Sequence, residues 1–159
     1  LFSKNLIDNQ EMNIKISEIE VSLTYPLRHE LLRKGKPLKS CYLEGDKNLE
    51  TIHIGAYTSK ELIGIASAYL NSCPQYFDKK GVQLRAIAVI PRFQRQGIAT
   101  KLIYHILEKV KIKLNPDYIW LNSRISANQL YLSNGFNPID KPFNIKSIGM
   151  HQRFIIIIN

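Results

Sequence analysis

Residues 84–113, LRAIAVIPRFQRQGIATKLIYHILEKVKIK, constrain the fold more than any other part of the chain. Residues 86–90 form a short apolar run with the β-branched content of a buried strand, and Pro91 removes a ladder donor and closes it. After a polar turn, Ile98, Leu102, Ile103, Ile106 and Val110 recur at helical spacing, which predicts an amphipathic helix beginning near Gly97. A strand that passes through a mostly polar turn, Arg92 to Gln96, into a helix belongs to an α/β arrangement, and the junction is where chemistry is expected.

The first turn of a helix carries backbone N–H groups without intrahelical partners, together with positive dipole potential, and so favours phosphate. Gly97 lets a ligand approach the backbone, Ala99 keeps the next position small, and Arg92, Arg95 and Lys101 add charge. An ordinary strand-turn-helix whose glycine only fits a tight turn is the competing reading. Downstream, residues 121–136 (LNSRISANQLYLSNGF) read as a strand end followed by a short helix carrying Tyr131, with Gly135 placed as its C-terminal glycine.

The spacing Val89-x-Pro91-x-x-Gln94-x-x-Gly97-x-Ala99 resembles the signature of the GNAT superfamily of acyl-CoA-dependent N-acetyltransferases, V-x-P-x-x-[QR]-x-x-G-x-[GA]. The stretch from Ala127 through Tyr131 to Gly135-Phe136 is similar to the family's A-x-x-[FL]-Y-x-x-x-G-F. Residues 25–46 also look like a GNAT branch of unassigned substrate.

The resemblance implies an α/β GNAT fold: a mixed, mostly antiparallel sheet with splayed parallel central strands, flanked by helices. It implies that the N–H groups of Gln94, Arg95, Gln96, Gly97, Ile98, Ala99 and Thr100 hold the pyrophosphate of acetyl-CoA, the cosubstrate. The main chain of Ile87, Ala88 and Val89 would pair with the pantetheine arm like an added strand, with Asn122 and Asn128 also on the cofactor side. Tyr131 matches the family's general acid for the departing thiolate; packing beside Gly135-Phe136 is its other reading. Where the family commonly has Asn, three residues before Ala127, this chain has Arg124.

The implied reaction is direct attack of a neutral primary amine on the thioester in a ternary complex, with no covalent enzyme intermediate and no metal. A phenol near ~10 and a thiol near ~8.5 are close enough for proton transfer between them, and an N–H at Val89 or its neighbour would polarise the thioester carbonyl. Glu44, His151 and a water chain are the open choices for the group that takes the amine's proton. Arg28, Arg33, Glu44 and Asp46 are candidates for acceptor contact, each also readable as surface charge.

Other classes are weighed through composition. The net charge of +9 is uneven: residues 1–80 hold 11 Lys/Arg and 10 Asp/Glu, residues 81–159 hold 11 and 3, so +8 of it lies in the proposed cofactor half. That balance suits a phosphate-rich ligand, although Lys109, Lys111 and Lys113 read as a solvated helix face. A basic nucleic-acid-binding module is an alternative, but no helix-turn-helix, RNP-type or zinc-finger pattern supports it; a noncatalytic acyl-CoA sensor is the other. His29-Glu30 begins a zinc-like H-E-x-x-H that lacks its second histidine. Cys41 and Cys73 form no C-x-x-C pair and read as free thiols.

The 159 residues suit a single domain over 12–159, with residues 1–11 as an appendage. No apolar run approaches the ~18 residues of a membrane span and no signal pattern opens the chain, which reads as a soluble, cytoplasmic protein. A first strand is expected at 13–16, and Ser17 would cap a helix to about Tyr25, with Pro26 opening a further turn through Leu27, Leu31 and Leu32 that ends at Gly35 and Pro37. Residues 49–57 and 61–70 read as an antiparallel hairpin, with Gly55 and Gly64 at bulges or close packing. A polar loop at 74–81 could overhang the acceptor pocket. After a stop at Asn115-Pro116-Asp117, residues 118–121 form a strand parallel to the central one. Residues 136–139 and 150–158 finish the sheet, joined by a loop at 142–147. The run 155–158 would be an association hazard as an open edge, and a homodimer is a plausible state.

Overall fold

The computed structural model describes residues 12–158, so the expected appendage at 1–11 lies outside the described residues. Seven strands form one sheet in the order β1-β2-β3-β4-β5-β7-β6: β1 Lys15–Glu18, β2 Ile52–Tyr57, β3 Leu62–Leu70, β4 Gly81–Val89, β5 Tyr118–Arg124, β6 Asn137–Ile145 and β7 Gly149–Ile157. Every neighbouring pair is antiparallel except β4 and β5, which run parallel. The connection between those two is helical, as a parallel pair requires.

That connection is the longest helix. Tyr25–Leu27 is α1, a single turn; Ile98–Leu114 is α2; Asn128–Ser133 is α3. α2 buries Ile98, Leu102, Ile103, Ile106, Leu107, Val110 and Leu114, the whole expected stripe and two more, against the sheet with Ile54, Ile63 and Ile65. Each such side chain contributes roughly 1.5–3 kcal/mol by leaving water, so the helix is held by its stripe. Asn115 takes the left-handed conformation (φ 43°) and caps α2 through its N–H to Lys111 O, which is where the chain was expected to stop. The basic face of α2 is solvent-facing, as its composition suggested, and also makes ion pairs. Lys109 and Lys113 both reach Glu18, at 3.0 and 2.6 Å, and fasten the end of α2 to β1.

Several element boundaries differ from the sequence expectation. Ser17 does not cap a helix; it lies in β1, paired with Gly55. The helical segment begins only at Val21, because pairing of β1 with β2 continues through the Ile19 N–H to His53 O bond. From there Val21–Thr24, α1 and Arg28–Leu32 run on continuously with Pro26 in the first turn of α1, and the last stretch is a π turn closed by Arg33 N–H on Arg28 O. The hairpin β2–β3 stands as expected, and Gly55 sits where a Cβ would come within 2.5 Å of Leu62 Cδ1. Residues 142–145 belong to β6 rather than to a loop: β6 resumes pairing at Phe143↔His151 after a bulge, and only a tight turn at 146–148 remains. The run 155–158 is not an open edge, since β7 lies between β5 and β6.

Among the described residues, no helix is long and apolar enough to cross a membrane.

Candidate active site

Two features of β4 create an opening in the middle of the sheet. β4 and β5 pair only at Gly81↔Tyr118, Val82↔Ile119 and Gln83↔Trp120; beyond that register the two strands have no ladder between them. On its other side β4 carries a bulge opposite Ala66, where the register with β3 jumps from Ile65↔Ala88 to Ser67↔Arg85 and Ala86 adopts φ 53°. A bulge adds twist and redirects the strand that carries it, so β4 leaves β5 just as the chain nears the phosphate-type turn. Ile90 N–H bonds Ile63 O at 2.8 Å. By the alternation of an antiparallel ladder, the polar backbone groups of Ile87 and Val89 therefore face the opening while those of Ala88 face β3.

The turn after β4 supplies unpaired donors. Pro91–Phe93 forms a short 3-10 turn, after which Arg95 (φ 62°) and Gly97 (φ 77°) both take left-handed backbone conformations and α2 begins at Ile98. Among the described residues no backbone carbonyl accepts from the amides of residues 95–100; Lys101 makes the first helical bond, to Gly97 O at 3.0 Å. A Cβ built on Gly97 would meet nothing within 4 Å, so the space over the turn is open. Gln94 behaves differently. Its N–H is taken by Pro91 O at 3.1 Å and its side-chain Nε2 donates to Val89 O at 2.9 Å. It braces the turn against the end of β4, and the run of available amides starts at Arg95. Arg92 is occupied by Glu61 at 2.5 Å, leaving Arg95 and Lys101 as the exposed cations at the turn.

A cavity of about 580 Å³ fills the gap between the strands. β4 contributes residues 83–87 and β5 contributes residues 120–124 to its walls. The π turn, the segment after it and the β6–β7 hairpin close it with Arg28, Leu32, Arg33, Ser40, Cys41, Leu43, Ile145, Ile148 and His151. None of residues 74–81 lines it, so the expected overhang is not there. That loop is instead tied down by Tyr118, whose hydroxyl accepts from Cys73 N–H at 2.7 Å and donates to Tyr76 O at 3.1 Å.

Tyr131, on α3, reaches the cavity wall. It is 7% exposed and packs on Phe136 and Phe154 with ring centroids 6.0 Å away. The helix that presents it ends as the sequence suggested, with Gly135 at φ 85° and Phe136 N–H returning to Tyr131 O. Burial alone pushes the phenol up to about 12, above the value near ~10 taken from the sequence. The ring packs in the core while the residue also lines the cavity, a position that suits either reading.

The remaining candidates separate by position. Asn122 lines the cavity and its Oδ1 accepts from Arg153 Nε at 3.2 Å. Asn128, the first residue of α3, has its Oδ1 buried without a hydrogen-bond partner and does not line the cavity. His151 lines the cavity, and because its Nδ1 lies 2.7 Å from Gly149 O, that nitrogen carries the proton and Nε2 is left with its lone pair when the ring is neutral. Glu44 is exposed and does not line the cavity.

Arg28 and Asp46, expected as acceptor contacts, form a buried ion pair. Arg28 is 1% exposed and donates to Cys41 O (2.9 Å), Asp46 Oδ2 (2.8 Å), Ser67 Oγ (3.1 Å) and the Tyr69 hydroxyl (3.0 Å). Burial works to raise the Asp46 carboxyl, but hydrogen bonds from Arg28, Tyr69 and Leu43 outweigh it and hold it below the usual range. His53 joins through Ser67 Oγ at 2.8 Å and Asp46 O at 2.9 Å, and burial depresses its protonation. The sequence assigned no role to His53; its partners lie up to 14 residues away, and no local pattern announces them.

The comparisons with known proteins agree with this geometry. The family model described as Acetyltransferase (GNAT) family matches residues 18–136. The chain is similar to a Bacillus subtilis (strain 168) protein named Uncharacterized N-acetyltransferase YitI, 28% identical over 138 residues that cover 87% of this chain and 92% of that one. Among solved structures, Escherichia coli ElaA superposes with a TM-score of 0.72 at 16% identity over 90% of this chain and 99% of its own. A chain of the NatC complex bound to Gag peptide and CoA gives 0.73 at 18%, over 93% and 100%. The opened parallel pair, the unpaired amides at the head of α2 and the matched family pattern lead to one conclusion: this chain belongs to the GNAT acetyltransferase family.

Proposed function

We propose that the protein transfers an acetyl group from acetyl-CoA to a primary amine by direct attack within a ternary complex. The observation that carries this reading is that one strand serves two features. The amides of residues 95–100, free of backbone acceptors, follow the end of β4, and the same strand parts from β5 to open a cavity that Tyr131 lines. The residues present fit coenzyme A: the amides and the helix dipole suit a diphosphate, the outward-facing backbone groups of Ile87 and the Val89 N–H suit an extended amide-bearing arm, and Asn128 Oδ1 offers an unused acceptor. Bound acetyl-CoA supplies the activated acyl group.

The chain's own residues then divide the work. An N–H at Ile87 or Val89 polarises the thioester carbonyl, and His151 Nε2 takes the proton that the ammonium must lose before attack. The C–N bond forms first and the C–S bond then breaks, the nitrogen's remaining extra proton passing to the departing sulfur, to which Tyr131 donates a hydrogen bond. With its phenol at about 12, complete transfer to a thiolate near ~8.5 is uphill by roughly 5 kcal/mol. Tyr131 therefore stabilises the leaving sulfur chiefly as a hydrogen-bond donor.

A screen of diverse primary amines with acetyl-CoA, read as release of free thiol, tests the proposal. Amine-dependent release is the expected result. Stabilisation by acetyl-CoA with no release from any amine would replace the enzyme reading with that of an acyl-CoA sensor.

A further inference from the structure

The acceptor end of the cavity has a charge character that the cofactor does not explain. Arg28, Arg33, Arg85 and Arg124 line it, and no Asp or Glu does so among the described residues. Arg28 is neutralised by Asp46 at 2.8 Å. Arg33, Arg85 and Arg124 have no ion-pair partner among the described residues. They come from separate elements: Arg33 ends the π turn, Arg85 lies on β4, and Arg124 ends β5 beside its register partner His151.

Their convergence follows from the pleat. Arg85 pairs with Ser67, and Tyr69 stands on the same face of β3, two residues on. Arg28 reaches both Ser67 and Tyr69 from above, so the π turn covers this face of the sheet and brings Arg33 over Arg85 and Arg124. Burial, and then the like charges of Arg124, Arg85 and Arg28, hold the Arg33 guanidinium below its ordinary value, which agrees with that placement. The diphosphate turn is elsewhere: none of residues 91–101 lines the cavity. These arginines are thus separate from the amides assigned to the diphosphate, while Ile87 and Asn122, assigned to the cofactor's arm, share the cavity with them.

From this we infer that the acceptor is a small primary amine carrying an anionic group, a carboxylate or a phosphate, which Arg33, Arg85 and Arg124 hold while the amine faces His151 and the thioester. The inference rests on the acetyltransferase reading and narrows its substrate class. Uncompensated guanidinium groups in a partly enclosed cavity repel one another, and an anion relieves them while accepting paired N–H bonds. A polyamine or other multiply charged cation meets repulsion at the same place. The same field makes a bound ammonium more acidic and so favours the neutral amine that attacks.

The test uses matched pairs with acetyl-CoA: amino acids against their carboxamides, O-phosphoethanolamine against ethanolamine, and spermidine as the cationic member. Thiol release is one readout. The other is fluorescence of Trp120, the chain's single tryptophan and part of the cavity wall, titrated with N-acetylamino acids and their amides. Anionic members should exceed their neutral partners about tenfold to a hundredfold in kcat/KM. Arg124→Gln and Arg85→Gln should each erase most of that preference and weaken the fluorescence response, while the thermal shift given by coenzyme A persists. Equal or better turnover of neutral or cationic amines, or a preference indifferent to both substitutions, would overturn the inference and leave the acetyltransferase reading standing. Quenching by the anionic products that depends on Arg124, with thiol released by no amine, would instead overturn the acetyltransferase reading and keep the anion site.

Discussion

At Tyr131 the packing of the ring and the proposed role of the hydroxyl can be separated experimentally. Tyr131→Phe keeps the ring among Phe136 and Phe154, so it should cost under about 1.5 kcal/mol of stability. The same change should lower turnover by about a hundredfold or more, the usual contribution of a positioned proton donor, with coenzyme A binding retained; unchanged turnover would remove Tyr131 from the chemistry. Because burial raises the phenol to about 12, no alkaline loss of activity below about pH 11 should trace to this residue. A second prediction concerns His53, whose protonation burial depresses below the ordinary 6.5. The unfolded chain then binds more protons than the folded one, so stability falls as pH drops below about 6.5. Melting temperatures measured from pH 7 to 5 should decline, and His53→Asn should decline less steeply from a lower starting point; identical slopes would contradict the assignment. Tyr131 was legible because it sits inside a local pattern with Gly135 and Phe136. Arg28 was not, since its partners Asp46, Ser67 and Tyr69 lie 18 to 41 residues away and meet only when β3 is in place.

Elements with one strong period were readable in advance, and those set by a neighbour were not. The stripe of α2 is self-evident in the sequence, and so is the stop at Asn115. Ser17 illustrates the opposite case: a serine before a polar-apolar mixture resembles a cap, yet pairing with Gly55 of β2 claims it for β1. Likewise residues 142–145 carry turn-forming Pro142 and Asn144, but the bulge after Ile139 restores their register with β7. The turn before α2 is the element on which the proposed cofactor binding depends. Gly97 has a positive φ and open space above it, so Gly97→Glu places strain and a negative charge where a diphosphate would sit. That variant should lose the thermal shift produced by coenzyme A; retention of the full shift would count against the turn as the phosphate site.

For the molecule as a whole, the uneven charge visible in the sequence resolves into three local uses. Lys109 and Lys113 fasten α2 to Glu18, Arg95 and Lys101 flank the turn proposed to hold the diphosphate, and Arg85 and Arg124 line the cavity between the strands. The sequence located the excess but could not divide it, because the π turn that carries Arg33 over the sheet follows from no local periodicity. What joins these parts is a sheet parted at β4 and β5, with donors at one end of the gap and Tyr131 along its wall. The most direct test is hydrogen exchange at single amides with and without coenzyme A. Residues 95–100, which have no backbone acceptor, should gain protection on binding, together with Ile87 or Val89, while the already bonded Gln94 changes little. Protection that appears elsewhere and leaves residues 95–100 exchanging as before would contradict the account.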